Sequence, residues 1–225
     1  MMNKVFVTGD THGVFSNLSY KNWPESRDLD KSDVLIQLGD FGLIWVTEDK
    51  EEAYWTKFLN DRPFTVVFLP GNHENYNRLF NDYETVKMFG DEVLKISDNV
   101  FMLKRGHSYT INGKSILAIG GAESTDKSTR KAYYDWWPEE ILTSNEASHL
   151  NRTIKASYDY ILTHTCPDSI LKYVTPEPHY GDTTGSLLQS ISTAIEFKHW
   201  YFGHFHINRD IGKFTCLYKD IRELE

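Results

Sequence analysis

Histidine and aspartate recur in this chain at the ends of apolar runs. The run His199-Trp200-Tyr201-Phe202 closes on Gly203-His204-Phe205-His206, and two imidazoles one residue apart at such a corner can face the same small volume. Imidazole is the commonest protein ligand for transition metals. Four more apolar runs end in residues able to bind a metal. Lys4 to Thr8 leads into Gly9-Asp10-Thr11-His12-Gly13, and Asp33 to Leu38 into Gly39-Asp40-Phe41-Gly42. Thr65 to Leu69 leads through Pro70 into Gly71-Asn72-His73-Glu74, and Tyr158 to Thr163 ends at His164. Singly, each group has a structural explanation: Asp10, Asp40 and Asn72 as turn or helix-cap residues, His164 as a partly buried histidine with a backbone partner. Five repetitions of the same placement make that explanation poor.

The elements that carry these residues decide whether they meet. The first three runs are short, apolar and β-branched, and between the second and third the segment Glu48 to Asn60 puts Ala53, Tyr54, Trp55, Phe58 and Leu59 on one helical face. Strand, helix, strand implies a parallel sheet with crossover helices. Ligands bind in the crevice outside the carboxyl ends of such strands, so residues scattered in sequence should converge there. The middle of the chain is antiparallel in pattern: Val93 to Ile96, Phe101 to Leu103, Ser108 to Ile111 and Ser115 to Ile119, with Asn112-Gly113 as a hairpin turn. After Gly120-Gly121 come a polar segment from Ala122 to Arg130, an aromatic cluster of Tyr133, Tyr134, Trp136 and Trp137, and a helix over Thr143 to Ile154. Lys172 to Thr184 reads as a loop, followed by an amphipathic helix marked by Leu187, Leu188, Ile191, Ala194 and Ile195, and a last strand over Phe214 to Tyr218. The reading is one domain over 1–225, with a substrate-side elaboration around 122–155 and a loop at 172–184.

The totals narrow the classes. A chain of 225 residues, 40% hydrophobic with mixed charges, buries enough surface for its own core. A formal charge of -8 argues against a broad basic face for long nucleic acid, while leaving a small phosphorylated substrate open. The first residues lack the regions of a secretion signal, no apolar stretch approaches a membrane span, and two distant cysteines, Cys166 and Cys216, make no disulfide framework. The expected location is the cytoplasm.

In this order, Gly-Asp-Thr-His-Gly, Gly-Asp-Phe-Gly, Gly-Asn-His-Glu, Thr-His-Thr and Gly-His-Phe-His resemble the calcineurin-like metallophosphoesterase superfamily, from Asp10 to His206. The first and third look like the phosphoprotein-phosphatase versions, and Gly-His-Phe-His looks like that of the phosphodiesterase branches. The resemblance implies a four-layer α/β/β/α sandwich of two mixed sheets flanked by helices. It assigns Asp10, His12 and His206 to one divalent metal ion and Asn72, His164 and His204 to another, with Asp40 bridging both and His73 standing beside them as general acid. The implied reaction is hydrolysis of a phosphate ester by metal-activated hydroxide. Two such ions outweigh the charge of Asp10 and Asp40, making a cationic site that attracts phosphate within an acidic protein. The mixed nitrogen and oxygen ligands suit manganese first, with Fe, Zn, Ni or Co as alternatives.

The phosphoprotein phosphatases continue their second motif with Val-Asp-Arg-Gly, whose Asp orients the acid histidine and whose Arg holds phosphate. Here Asp40 is followed by Phe41-Gly42-Leu43-Ile44-Trp45, so both helpers are missing. Glu74 or a backbone carbonyl is left to orient His73, and Arg78, Lys127 or Arg130 to hold phosphate, unless these cations are simply solvated. Trp136, Trp137 and Tyr134 could stack a nucleobase, but the favoured reading is core or a packed cap, and Trp45 is read the same way. His107 and His149 are read as structural or exposed, His179 as a loop residue for which contact with substrate is the minority reading, and Cys166 as a small buried residue near the site. The leading expectation is a dinuclear-metal phosphoesterase for a small phosphodiester or nucleotide-like substrate. The alternatives are a phosphomonoesterase, including a phosphoprotein phosphatase, and a non-catalytic scaffold that keeps the shape.

Overall fold

Alternate residues of the first three apolar runs face opposite ways, and both faces are buried. The structure, a computed structural model, describes residues 3–45, 50–175 and 182–225. In β1 (Val5–Thr8), β2 (Val34–Leu38) and β3 (Thr65–Leu69), Val5, Val7, Val34, Ile36, Leu38, Val67 and Leu69 point into one core, while Phe6, Leu35, Val66 and Phe68 point into another. Burial on both faces is what runs of unbroken apolar residues in parallel strands require. The crossover between β2 and β3 is α1 (Lys50–Asn60), which packs Leu59, Trp55 and Phe58 against the outer face of the sheet.

After β3 come α2 (Tyr76–Asn81), β4 (Glu84–Met88), β5 (Asp91–Lys95), β6 (Val100–Leu103), β7 (His107–Ile111) and β8 (Lys114–Ile119). The chain continues through α3 (Ser144–Thr153), β9 (Ser157–Thr163), α4 (Asp168–Val174), α5 (Thr183–Ala194) and β10 (Glu196–Phe202). It closes with β11 (Arg209–Ile211), β12 (Phe214–Cys216) and β13 (Ile221–Glu223). The described strands form two mixed sheets, ordered β13-β1-β2-β3-β6-β5-β4 and β11-β12-β10-β9-β8-β7. Strands β1, β2, β3 and β6 are mutually parallel in the first, and β8, β9, β10 and β12 in the second.

Three buried clusters separate four layers. The inner faces of both sheets meet at Val7, Ile36, Val67, Ile116, Ala118 and Leu162. The first sheet packs outward against α1, and the second packs Leu117, Ile119, Ile161 and Trp200 outward against Leu150 of α3, Ile170 of α4, and Leu188 and Ile191 of α5. This is the α/β/β/α sandwich expected from the sequence. The helix expected over Thr143 to Ile154 is α3, started by a capping box in which the Thr143 hydroxyl and the Glu146 carboxylate satisfy each other's backbone N–H. The expected loop from Lys172 to Thr184 is helical at both ends, in α4 and α5, and its centre, with His179, lies outside the described residues.

Candidate active site

Each ligand-bearing corner follows directly from a central parallel strand: Asp10 and His12 from β1, Asp40 from β2, Asn72 and His73 from β3, His164 from β9, and His204 and His206 from β10. The corners are conformationally unusual. His12, Asp40, His204 and His206 all have positive φ, at 48°, 49°, 70° and 53°. A non-glycine residue held there costs on the order of 1–3 kcal/mol, and such strain gathers where the surrounding structure over-determines a functional geometry. The glycines of the motifs let the corners interlock. A Cβ on Gly71 would collide with the Asp40 carboxylate, and one on Gly203 with the Asp10 carboxylate. The residue before one ligand is the surface on which another rests.

Two groups of side chains result. In the first, His12 Nε2 lies 2.9 Å from His206 Nε2 and 3.9 Å from Asp10 Oδ2, and His206 Nε2 lies 3.1 Å from Asp10 Oδ2. In the second, His164 Nε2 lies 3.1 Å from Asn72 Oδ1 and 3.2 Å from Asp40 Oδ1, with His204 packed edge-on against His164 at a ring separation of 4.9 Å. Asp40 belongs to both: its Oδ2 is 3.8 Å from His12 Nε2, while its Oδ1 faces His164. The backbone fixes both carboxylates, since Asp10 Oδ1 accepts the His204 N–H at 2.9 Å and Asp40 Oδ1 accepts the His73 N–H at 2.8 Å.

The electrostatics fit a cation at each group. Asp10 Oδ2 is buried without a hydrogen-bond donor, although it faces two imidazoles. Burial works against charge on Asp40, but His164 beside it wins and holds the carboxyl well below the ordinary carboxylate range. Burial likewise opposes charge on His164, yet Asp40 pushes it up to about 9. Burial, reinforced by the charge of His164, drives His204 down to about 4 and keeps it in the neutral form that binds metals. His164 Nδ1 donates to the Leu38 carbonyl at 2.8 Å, which turns Nε2 toward the cluster. The Asn72 amide is turned as well. Its Nδ2 donates to Ser124 Oγ at 3.2 Å, while the Ser124 hydroxyl and backbone N–H both donate to the buried Glu140 carboxylate, at 2.5 and 2.8 Å. This leaves Asn72 Oδ1 facing His164.

His73 sits at the rim of the first group, edge-on to the His12 ring at 5.2 Å. Trp45 lies nearly parallel to it, 18° between the planes at 6.2 Å, and is itself backed by the buried Trp137. Arg130 Nη2 comes within 3.4 Å of His73 Nε2, the guanidinium being held by Asp126 at 2.8 Å and the Asp135 carbonyl at 3.2 Å. Burial lowers the pKa of His73, with Arg130 adding to the effect and Asp40 opposing it. Glu74 does not reach the His73 ring. Its carboxylate, fully buried and raised by burial to about 8, accepts the Phe41 and Gly42 N–H groups and ties the third corner to the second.

Of the three cations singled out in the sequence, only Arg130 is brought to the metal groups. Arg78 forms a bidentate pair with Glu52 at 2.7 and 2.9 Å and a further pair with Asp82, and Lys127 pairs with Glu123. Trp137 is core, Tyr133 and Tyr134 are exposed, and Cys166 is buried beside His204. Sequence reasoning missed Ser124 and Glu140; an unmarked serine and glutamate give no signal until the fold brings them under Asn72.

The family model described as calcineurin-like phosphoesterase matches residues 3–208. No curated protein matches the chain. Among solved structures, TT1561 of Thermus thermophilus is similar with a TM-score of 0.53 at 12% identity, over 99% of this chain and 98% of that one. A second solved structure has a TM-score of 0.50 at 12% identity, over 96% and 90% of the two chains. At that identity these likenesses speak for the fold alone. The chain belongs to the calcineurin-like phosphoesterase family, whose members are metal-dependent and act on phosphate esters. Among the described residues no helix is long and apolar enough to cross a membrane.

Proposed function

We propose that this chain hydrolyses a small phosphodiester or nucleotide-like substrate at a centre of two divalent ions, manganese first among them. Asp10, His12 and His206 would hold one ion, Asn72, His164 and His204 the other. The observation that carries the reading is the Asp40 carboxylate, which turns one oxygen toward each group of ligands. Two ions held by these residues would supply Lewis-acid polarisation of the phosphoryl oxygens and would lower the pKa of a bound water. The remaining work falls to the chain itself. Trp45 lies along the His73 ring at the rim, where the protonated ring can donate to the departing ester oxygen. A lowered pKa disfavours the protonated ring in the free chain, and the negative charge of a bound phosphate ester would favour it.

The preference for a diester rests on charge and room. All three cations are paired with carboxylates, Arg78 with Glu52, Lys127 with Glu123 and Arg130 with Asp126, and of the three Arg130 alone also reaches His73 beside the centre, which suits a singly charged diester better than a dianionic monoester. Beside His12 and His73 opens a groove of about 390 Å³, lined by Trp45, Trp55, Glu51 and the Arg78-paired Glu52, that offers room for an esterifying group. Two free, buried cysteines fit a reducing compartment such as the cytoplasm. The test is parallel turnover of bis-p-nitrophenyl phosphate and p-nitrophenyl phosphate by the manganese-loaded chain. The diester should give the higher kcat/KM; hydrolysis of the monoester alone would return the chain to the phosphatases, and hydrolysis of neither would favour a scaffold.

A further inference from the structure

Asp91, His107 and His149 come together far along the sheets from the site above. Asp91 opens β5 in the first sheet, His107 opens β7 at the edge of the second, and His149 lies on α3. The strand orders place β5 two positions from β3, and β7 two positions from β9, so this cluster sits at a lateral edge of the sandwich. One ligand atom from each residue lies within 4.8 Å of the other two. The imidazoles of His107 and His149 stack at 3.9 Å with 16° between their planes, and His107 Nδ1 is 3.1 Å from Asp91 Oδ2. Both His107 Nδ1 and His149 Nε2 are nevertheless buried without a hydrogen-bond partner.

Buried polar atoms are rarely left unsatisfied, and two on adjoining imidazoles beside a carboxylate call for a shared partner. We propose that Asp91, His107 and His149 form a separate site for a single zinc-class transition-metal ion that staples the two sheets and α3 together. Two imidazoles and one carboxylate are the borderline donor set that Zn²⁺ and its neighbours prefer over Mg²⁺ or Ca²⁺. Tetrahedral bonds of about 2.0–2.1 Å set ligand atoms about 3.3 Å apart, the spacing His107 and Asp91 already have at 3.1 Å, so it is His149 that closes on them, by up to about 1.5 Å, through side-chain rotation. The stacked rings tilt apart in doing so, because the lone pairs of parallel imidazoles do not converge. Nearby cations are already balanced, Lys104 by Glu92 at 3.0 Å and Arg105 by Glu146 at 2.7 Å. The cluster borders a cavity of about 650 Å³, which leaves room for water as the remaining ligand.

The experiment separates this site from the catalytic one. A full-length His12→Ala/His164→Ala chain, in which every ligand group of the catalytic centre is broken, is stripped of metal, titrated with Co²⁺ and followed by visible absorption. It should take up one ion in a tetrahedral environment, and Zn²⁺ should raise its Tm; adding His107→Ala or His149→Ala should abolish both signals. Should the double variant not fold, zinc-equilibrated wild type and His149→Ala chains are compared by elemental analysis, the variant carrying one ion fewer with diester hydrolysis unchanged. Absence of Co²⁺ uptake by the folded double variant, uptake that survives both histidine replacements, or equal zinc contents would overturn the site.

Discussion

The strand-end corners and the segment from Gly120 to Thr143 build the same site by different means. The corners hold Asp10, His12, Asp40, Asn72, His164, His204 and His206 by backbone: short apolar strands in fixed register, positive φ at four of the residues, and carboxylates that accept neighbouring N–H groups. The segment works at one remove. Ser124 and Glu140 turn the Asn72 amide, Trp137 backs Trp45, and Arg130 reaches His73. A corner residue removed should therefore abolish the centre, and a segment residue removed should detune it.

The sharpest separation is expected at Asp40. Asp40→Ala should lose bound metal and cut diester kcat/KM by at least about 10³-fold, the scale of losing a preorganised electrostatic element. Retention of both ions, read by elemental analysis, would deny it the bridging place. His73→Ala should keep its metals and lose about 10²–10⁴-fold in kcat, the range for a general acid. It should also lose the fall in rate seen as pH rises through the pKa of that histidine, and a pH–rate profile identical to wild type would remove His73 from proton transfer.

Weaker effects belong to the segment. Ser124→Ala or Glu140→Gln should lower metal affinity about 10–100-fold, as loss of a group that orients a ligand does, with little change in kcat at saturating metal. Isothermal titration with Mn²⁺ reads this directly, and a loss as deep as that of Asp40→Ala would erase the distinction between the regions. Arg130→Ala should raise KM about tenfold, consistent with a charged hydrogen bond of about 1.5 kcal/mol to phosphate.

The metal-free state offers a further measurement. Because His164 is pushed up to about 9 by Asp40, a metal entering at neutral pH must expel its proton. Affinity should rise with pH, by about tenfold per unit below that value, and flatten above it. Titrations in buffers of different ionisation enthalpy count the released proton.

The division also explains what could be read from the chain. The five corners were legible because their chemistry lies within a few residues of an apolar run, and strand ends in a parallel sheet converge by topology. The hairpin at Asn112-Gly113 and the cap at Thr143 were legible for the same local reason. Short amphipathic pieces such as β4, β11, β13, α2 and α4 carry too few residues to show a period, and their positions are set by pairing with distant strands. The role of Glu140 depends on Ser124, 16 positions away in sequence, and on Asn72, a further 52 away, so local pattern holds no trace of it. Arg78, Lys127 and Arg130 look equivalent in the sequence and each has a carboxylate partner in the fold, so only the approach of Arg130 to His73 sets it apart. Likewise His107 and His149 gain meaning only beside Asp91.

The central claim is that Asp40 joins two metal ions in one centre. Electron paramagnetic resonance of the manganese-saturated chain tests it most directly, because two Mn²⁺ ions sharing a carboxylate are exchange-coupled while an ion held elsewhere is not. The wild-type chain should show the spectrum of a coupled pair, and Asp40→Ala should not. A wild-type spectrum of isolated ions alone would contradict the account.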